Sequence, residues 1–294
     1  MGLRIRTNVA SLVSQRRLGE STHKMNESMS KLASGQRINK SADDAAGLAI
    51  SESMRGKIRS LEQAKRNAND GISMLQTAEG SMNEMSNIMI RLRELATQAA
   101  SDTIGDVERS YTNKEYTQLV EELDRISNST EFNGTKLLMG ADGNNGIDEF
   151  SIHVGAGDAT VPNTDNITIN IDNFKLTPFE DLGLGTEAEI GPVEPGDAFG
   201  RMPAAEKLTL IDTAIQNLQG KRATLGSKQS RLESTINNLG IQVENLNAAN
   251  SRIRDVDFAA ETATFTQQKI LQAGGVSVLS QANSAPEVVL SLLR

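Results

Sequence analysis

The chain has 294 residues, 37% of them hydrophobic and 3% aromatic, with no Cys, no Trp, two His and a formal charge of −8. Without Cys there is neither a disulfide framework nor thiolate chemistry, and two His do not build the usual imidazole-rich zinc or iron site. Seven Phe and two Tyr are few for the core of a large enzyme, and an acidic chain repels the nucleic-acid backbone.

The first residues read MGLRIR and then NVASLVSQRR. They contain no continuous apolar stretch of the ~7–15 residues a secretory leader needs, and Arg6 stands where a myristoylation motif asks for Ser or Thr. No run approaches the ~18 apolar residues of a membrane span, so taken alone the chain reads as cytoplasmic, with no membrane partner. Residues 3 to 32 carry a weak seam (Met25, Met29, Leu32) and predict a marginal helix. The stretch GQRINKS from Gly35 to Ser41 suggests a phosphate loop, but Asn39 occupies the position of the second Gly. Asp43 and Asp44, neighbours without a third carboxylate or His, read as helix-start residues favoured by the dipole.

A long amphipathic helix is predicted next, with a seam through Ile58, Leu61, Ala68, Ile72, Leu75 and Met82. After a phase shift it continues through Met85, Ile88, Leu92, Leu95 and Ala99, as a stutter would produce. Met25, Met29, Met54, Met74, Met82, Met85 and Met89 read as seam filler. A shorter helix through Leu119, Leu123 and Ile126 should stop near Asn133-Gly134.

The centre changes character. Residues 141–200 hold twelve Asp/Glu against one Lys, four of six Pro and nine of 24 Gly, so this segment alone carries −11 and the flanks together +3. Phe150, Ile152 and Val154 alternate, as do Ile167, Ile169 and Ile171, which predicts a β-hairpin over about 149–172. From residue 177 to 203 there is little to bury, and an exposed linker is expected.

The C-terminal arm steps alternately by three and four through Leu208, Ile211, Ile215, Leu218, Arg222, Leu225, Gln229, Leu232, Ile236, Leu239, Val243, Leu246, Asn250 and Ile253. A repeat sustained this long is a coiled-coil signature. Beyond it come Phe258 and Phe265, then Val288, Val289, Leu290, Leu292 and Leu293 in a tail too apolar to leave in water, which predicts an assembly interface. The expected fold is mainly α: an elongated antiparallel helical bundle formed by both arms, with a small central hairpin. His23 and His153 fit no HExxH spacing, and no catalytic, cofactor or metal constellation is found, so an enzyme is not expected.

Both ends carry long motifs: NVASLVSQRRL, SGQRINKSADDAAGLAIS, RNANDGISMLQTAEG and RELATQAA in one arm, RLESTINNL, ENLNAANSRIRDVDFA and QANSAPEVVLSLLR in the other. With these the chain resembles the bacterial flagellins, collinearly over about residues 3–176 and 204–294. The resemblance implies a filament subunit that leaves the cell unfolded through the flagellar type III export channel, without a cleaved leader, to an extracellular filament. It further implies an inner coiled-coil domain (1–44 with 257–294), a helical bundle domain (45–176 with 204–256) and a short variable linker (177–203). Many flagellins insert large outer domains there, so a minimal flagellin and a thin, two-layer filament are expected.

The core assembly interface is then expected at Leu3, Ile5, Val9, Leu12, Phe258, Phe265, Val288, Val289, Leu290, Leu292 and Leu293. Further partners implied are other copies of the chain, an export chaperone at Phe258 to Arg294, and the filament cap and hook-junction proteins. IRLRELATQ also resembles the stretch read by the vertebrate Toll-like receptor for flagellin, with Arg91, Leu95 and Glu115 at contacting positions and Ile90 in place of the usual Gln. Two alternatives are a hook–filament junction protein, which shares the terminal helices, and a flagellin-associated protease, which the absent insert and absent HExxH oppose.

Overall fold

The computed structural model describes residues 8–140, 149–157, 165–170, 174–176 and 202–292, with backbone alone for 202–206 and 285–292. Five helices and four short strands follow in order: α1 (Val9–Ser34), α2 (Ala45–Ala99), α3 (Asp106–Ser129), β1 (Glu131–Phe132), β2 (Thr135–Lys136), β3 (Glu149–His153), β4 (Asn166–Asn170), α4 (Met202–Arg254) and α5 (Phe258–Leu292). The chain divides into two compact units, a terminal unit of residues 1–58 and 244–294 and a central unit of residues 59–243, with α2 and α4 contributing to both. The linker read at 177–203 lies outside the described residues up to position 201, as does Ile171.

Helix starts follow local polar chemistry. Asn8 Oδ1 accepts the Ser11 amide at 3.1 Å to cap α1, and Asp44 Oδ1 accepts the Gly47 amide at 2.8 Å to cap α2. At α3 the Glu108 carboxylate reaches back to the Gly105 amide at 2.7 Å, and at α5 Asp257 Oδ1 takes the amides of Ala259 and Ala260. Asp43 serves the preceding loop instead, its Oδ2 accepting the amides of Asn39 and Lys40 at 3.0 and 2.9 Å.

In the central unit α2 and α4 run antiparallel, as the contacts of Gly71 with Leu232 and of Arg93 with Asp212 show. On α2 the buried positions from Leu61 on include Leu61, Ala64, Ala68, Gly71, Leu75, Ala78, Met82, Met85, Met89, Leu92, Ala96 and Ala99, an alternation of three and four, with Met74 and Leu95 buried beside it. The alternation runs through Met82 without a break, with Ala and Gly at several of its positions, while Ile58 and Ile72 flank it on one side before Met82, and Ile88 and Leu95 on the other side after it. On α4 the column Ile211, Leu218, Leu225, Leu232 and Leu239 is buried. The companion column Leu208, Ile215, Arg222, Gln229, Ile236 and Val243 is half-buried throughout. One heptad position thus points into the core and the other along its edge, where Arg and Gln keep their polar ends in water.

The α3 helix ends at Ser129, short of Asn133-Gly134, because the chain first enters the two-stranded ladder β1–β2. Asn133 and Gly134 form its two-residue turn with φ of 51° and 77°, the left-handed pair that a tight hairpin requires. The larger hairpin forms as the alternation predicts, with β3 and β4 antiparallel and Phe150 opposite Ile169, Ile152 opposite Ile167. Val154, Ile167 and Ile169 are buried against the core that α2, α3 and α4 share. Gly71 is the notch that seats the hairpin on α2: a Cβ there would lie 2.3 Å from Ile152 Cδ1. Lys221 and Lys228 of α4 donate to the carbonyls of Lys175 and Thr168, tying the end of this region down.

Candidate assembly surface

The terminal unit is built from α1 and α5, which lie antiparallel. The α1 seam runs Ser11, Ser14, Leu18, Ser21, Met25, Ser28 and Leu32, every one buried or half-buried. It meets Phe265, Gln268, Gln272, Gly275, Leu279 and Ala282 of α5, all half-buried. This seam mixes Ser and Gln with Leu18, Met25, Leu32, Phe265 and Leu279, and hydrogen bonds set its register. Ser11 Oγ bonds Asn283 Oδ1 at 2.7 Å, Asn8 Nδ2 donates to the Ala282 carbonyl at 2.7 Å, Ser21 Oγ to the Gln268 carbonyl at 3.1 Å, and Gln272 Nε2 to Thr22 Oγ1 at 3.3 Å.

Large apolar side chains meanwhile stand off the seam. On α1, Val9 is 59% and Leu12 56% exposed; on α5, Phe258 is 58% and Ile270 66% exposed. Val13, Met29, Leu271, Val276 and Val278 are exposed with them. A helix pair that folds for its own sake places such residues between the helices, and here Ser, Gln and Gly take seven of those thirteen positions. Covering each half-exposed Val, Ile or Leu would contribute about 1 kcal/mol, so the pair holds apolar burial in reserve. Of the residues read from sequence, Val9, Leu12 and Phe258 lie in this outward set and Phe265 in the seam. Leu3, Ile5 and Leu293, with the side chains of Val288, Val289, Leu290 and Leu292, lie outside the described residues. Ile270, Leu271, Val276 and Val278 escaped the sequence reading because they fall between the three–four steps of the α5 seam.

A clasp closes the same unit. Gln36 and Asp255 form an isolated antiparallel bridge, with the Arg37 amide donating to the Arg254 carbonyl at 2.7 Å and the Val256 amide to the Gly35 carbonyl at 3.1 Å. Arg37 Nη2 also reaches the Ile253 carbonyl at 2.7 Å, and Arg254 Nε reaches Gln36 Oε1 at 3.1 Å. Ile38, 1% exposed, plugs the loop.

In the central unit the residues read for receptor contact are split by burial. Arg91 donates from Nε and Nη2 to Glu115 Oε1 at 3.0 and 2.8 Å, both side chains about half exposed. Leu95 is 1% exposed and packs inward. The seam residues Ile211, Leu218, Leu225, Leu232 and Leu239 are core, whereas Leu208, Ile215, Ile236, Val243 and Leu246 are half-buried. Among the described residues no group of His, Asp and Glu could hold a metal ion, and no helix is long and apolar enough to cross a membrane.

The two arms match, in turn, family models of the bacterial flagellin N-terminal helical region over residues 5–142 and the bacterial flagellin C-terminal helical region over residues 208–293. Across 290 aligned residues the chain is 40% identical to the flagellin of Halalkalibacterium halodurans, covering 99% of each. The chain belongs to the bacterial flagellin family. This flagellin is also 40% identical to that of Bacillus subtilis, over 99% of its own length and 100% of the relative's. A Vibrio parahaemolyticus structure described as a flagellar hook-associated protein shares the fold with it, at a TM-score of 0.60 over 72% of the flagellin and 100% of that chain, with 15% identity. Flagellins are structural proteins rather than enzymes, in keeping with the absence of a catalytic motif in the sequence.

Proposed function

We propose that this flagellin is the repeating subunit of an extracellular flagellar filament, and that its terminal unit assembles by burying the apolar side chains that α1 and α5 leave outside their own seam. The observation that carries this reading is the inversion of the pair: Ser11, Ser21 and Ser28 are buried while Val9, Leu12, Ile270 and Val278 are exposed. A seam that gives half its positions to Ser, Gln and Gly holds two helices together only weakly, and burial against neighbouring copies supplies the missing stabilisation. Folding of the terminal unit is then coupled to assembly. With no large insertion between the arms, the filament is thin and two-layered.

Deletion of residues 257–294 tests the reading. The truncated protein should retain the cooperative melt of the central unit and form no filaments by electron microscopy or sedimentation; filaments from it would refute the proposal. The same exposed helix α5 is the natural surface for an export chaperone before assembly, and the cap and hook-junction proteins would meet the subunit at the filament's ends. A Toll-like receptor reading the monomer would touch Arg91 and Glu115, with Leu95 acting only through the packing beneath them. A reporter-cell assay comparing Arg91→Ala with Leu95→Ala separates these roles.

A further inference from the structure

The central unit carries a projecting surface and a recess that fit one another's chemistry. On α3, Val107 and Tyr111 stand one turn apart at 66% and 65% exposure, in a chain with only two Tyr. Lys114 Nζ lies 5.9 Å from the Tyr111 ring centroid, so a cation rides on this aromatic knob. The recess is a cleft of about 360 Å³ lined by Gly71, Met74, Phe132, Phe150 and Ile152, with Asp70 on its border. Asp70 is exposed and makes no ion pair among the described residues.

Knob and cleft cannot meet within one copy. The Arg91–Glu115 pair fixes the level of α3 against α2, and Gly71 lies twenty residues along α2 from Arg91, about 30 Å at the helical rise. Two different, complementary patches on one rigid element describe a head-to-tail contact, the kind that propagates as an open helical array rather than closing into a dimer.

Resting on the filament-subunit reading, we propose that Tyr111, with Val107 beside it, inserts into the Gly71–Phe132–Phe150 cleft of a neighbouring copy. Lys114 then comes to Asp70 of that copy. The aromatic ring gains offset or edge contacts with Phe132 and Phe150, and the charge pair orients the approach. This contact is separate from the burial of the terminal helices and sets which central units touch.

The Cys-free chain gives a direct test. A Ser110→Cys/Ser151→Cys variant places one thiol beside the knob and one on the cleft lining, each replacing a hydroxyl with a thiol of similar size. Treated with a short thiol–thiol cross-linker, its filaments should yield a ladder of multimers on a denaturing gel, while the single-Cys variants yield none. Tyr111→Ala should raise the critical concentration for polymerisation by on the order of tenfold. Asp70→Lys and Lys114→Asp should each do so in part, with the double reversal restoring assembly. Filaments that form normally but give no ladder, or a double reversal no better than the singles, would overturn the knob-and-cleft contact alone. Wild-type protein that forms no filament at all would overturn the function on which it rests.

Discussion

Arg254 and Glu52 sit 202 positions apart in sequence and share a hydrogen-bonded ion pair, Arg254 Nη1 donating to Glu52 Oε1 at 2.5 Å. The pair fastens the clasp in which Gln36 bridges Asp255, so the start of α2 is bound to the end of α4 within the terminal unit. Its acceptor is held below the ordinary carboxylate value of 4.5, first by the hydrogen bond from Arg254 and then by the charges of Arg254 and Arg55. Asp43 is likewise held below 3.8, first by the backbone amides of Lys40 and Asn39, with Lys31 and Lys40 adding positive charge.

Both carboxyls are more acidic folded than unfolded, so their contribution is complete above the unfolded values and disappears as pH falls through the lowered folded ones. The clasp should loosen in acid below about pH 4. Hydrogen exchange at the Arg37 and Val256 amides reads it directly: protection should fall on acidification in the wild type. In Glu52→Gln it should be lower at neutral pH and change less with acid. Equal acid sensitivity in the two proteins would assign the effect to Asp43 or to groups elsewhere.

Gly71→Ala offers a prediction whose sign separates two effects. In an open helix this change stabilises by about 1 kcal/mol, because Ala loses less backbone entropy. Here the new methyl would stand 2.3 Å from Ile152 Cδ1, and relieving that overlap should reverse the sign to a loss of about 1–3 kcal/mol. Ile152→Val removes the offending Cδ1, so the double variant should recover most of the loss. Denaturant melts of the four proteins in this cycle measure it.

How legible this fold is in the sequence depends on residue size. The α4 seam from Leu208 to Val243 was readable because Leu and Ile mark it, and the β3–β4 hairpin because Phe150, Ile152, Ile167 and Ile169 alternate. The α2 seam is harder to follow, because Gly71 and Ala78 hold seam positions without looking apolar enough to count. The α1–α5 register was illegible for a related reason: Ser11–Asn283 and Ser21–Gln268 are polar pairs, and no hydrophobic period announces them. The clasp at Gln36 and Asp255 joins distant segments through backbone groups, which every residue carries.

Tyr116 gives a prediction at the alkaline end. It is 1% exposed, and burial pushes its phenol up to about 12 from 10.0. Because the folded value is the higher, the stabilisation is whole below pH 10 and is lost as pH rises from 10 towards 12. The difference amounts to about 2–3 kcal/mol across that window. Tyr116→Phe should flatten this alkaline decline while leaving Tyr111 as the one phenol to follow by ultraviolet absorbance. A decline of unchanged steepness would place its origin in other groups.

The last prediction sets the two units against each other. Leu225 is 1% exposed in the buried α4 column, and Leu225→Ala should cost the central unit about 2–5 kcal/mol through lost burial and the cavity left behind. Ile270, 66% exposed on α5, touches little in the isolated chain, so Ile270→Ser should leave the melt within about 0.5 kcal/mol of wild type. In polymerisation the ranking should invert. Ile270→Ser, and more strongly Ile270→Ser with Leu12→Ser, should raise the critical concentration, because both substitutions remove apolar surface that only neighbours can cover. Leu225→Ala should polymerise near its wild-type threshold wherever it remains folded. Calorimetry and sedimentation on the same four proteins decide it: an Ile270→Ser protein that melts early and assembles normally would show that α5 buries this side chain within its own chain.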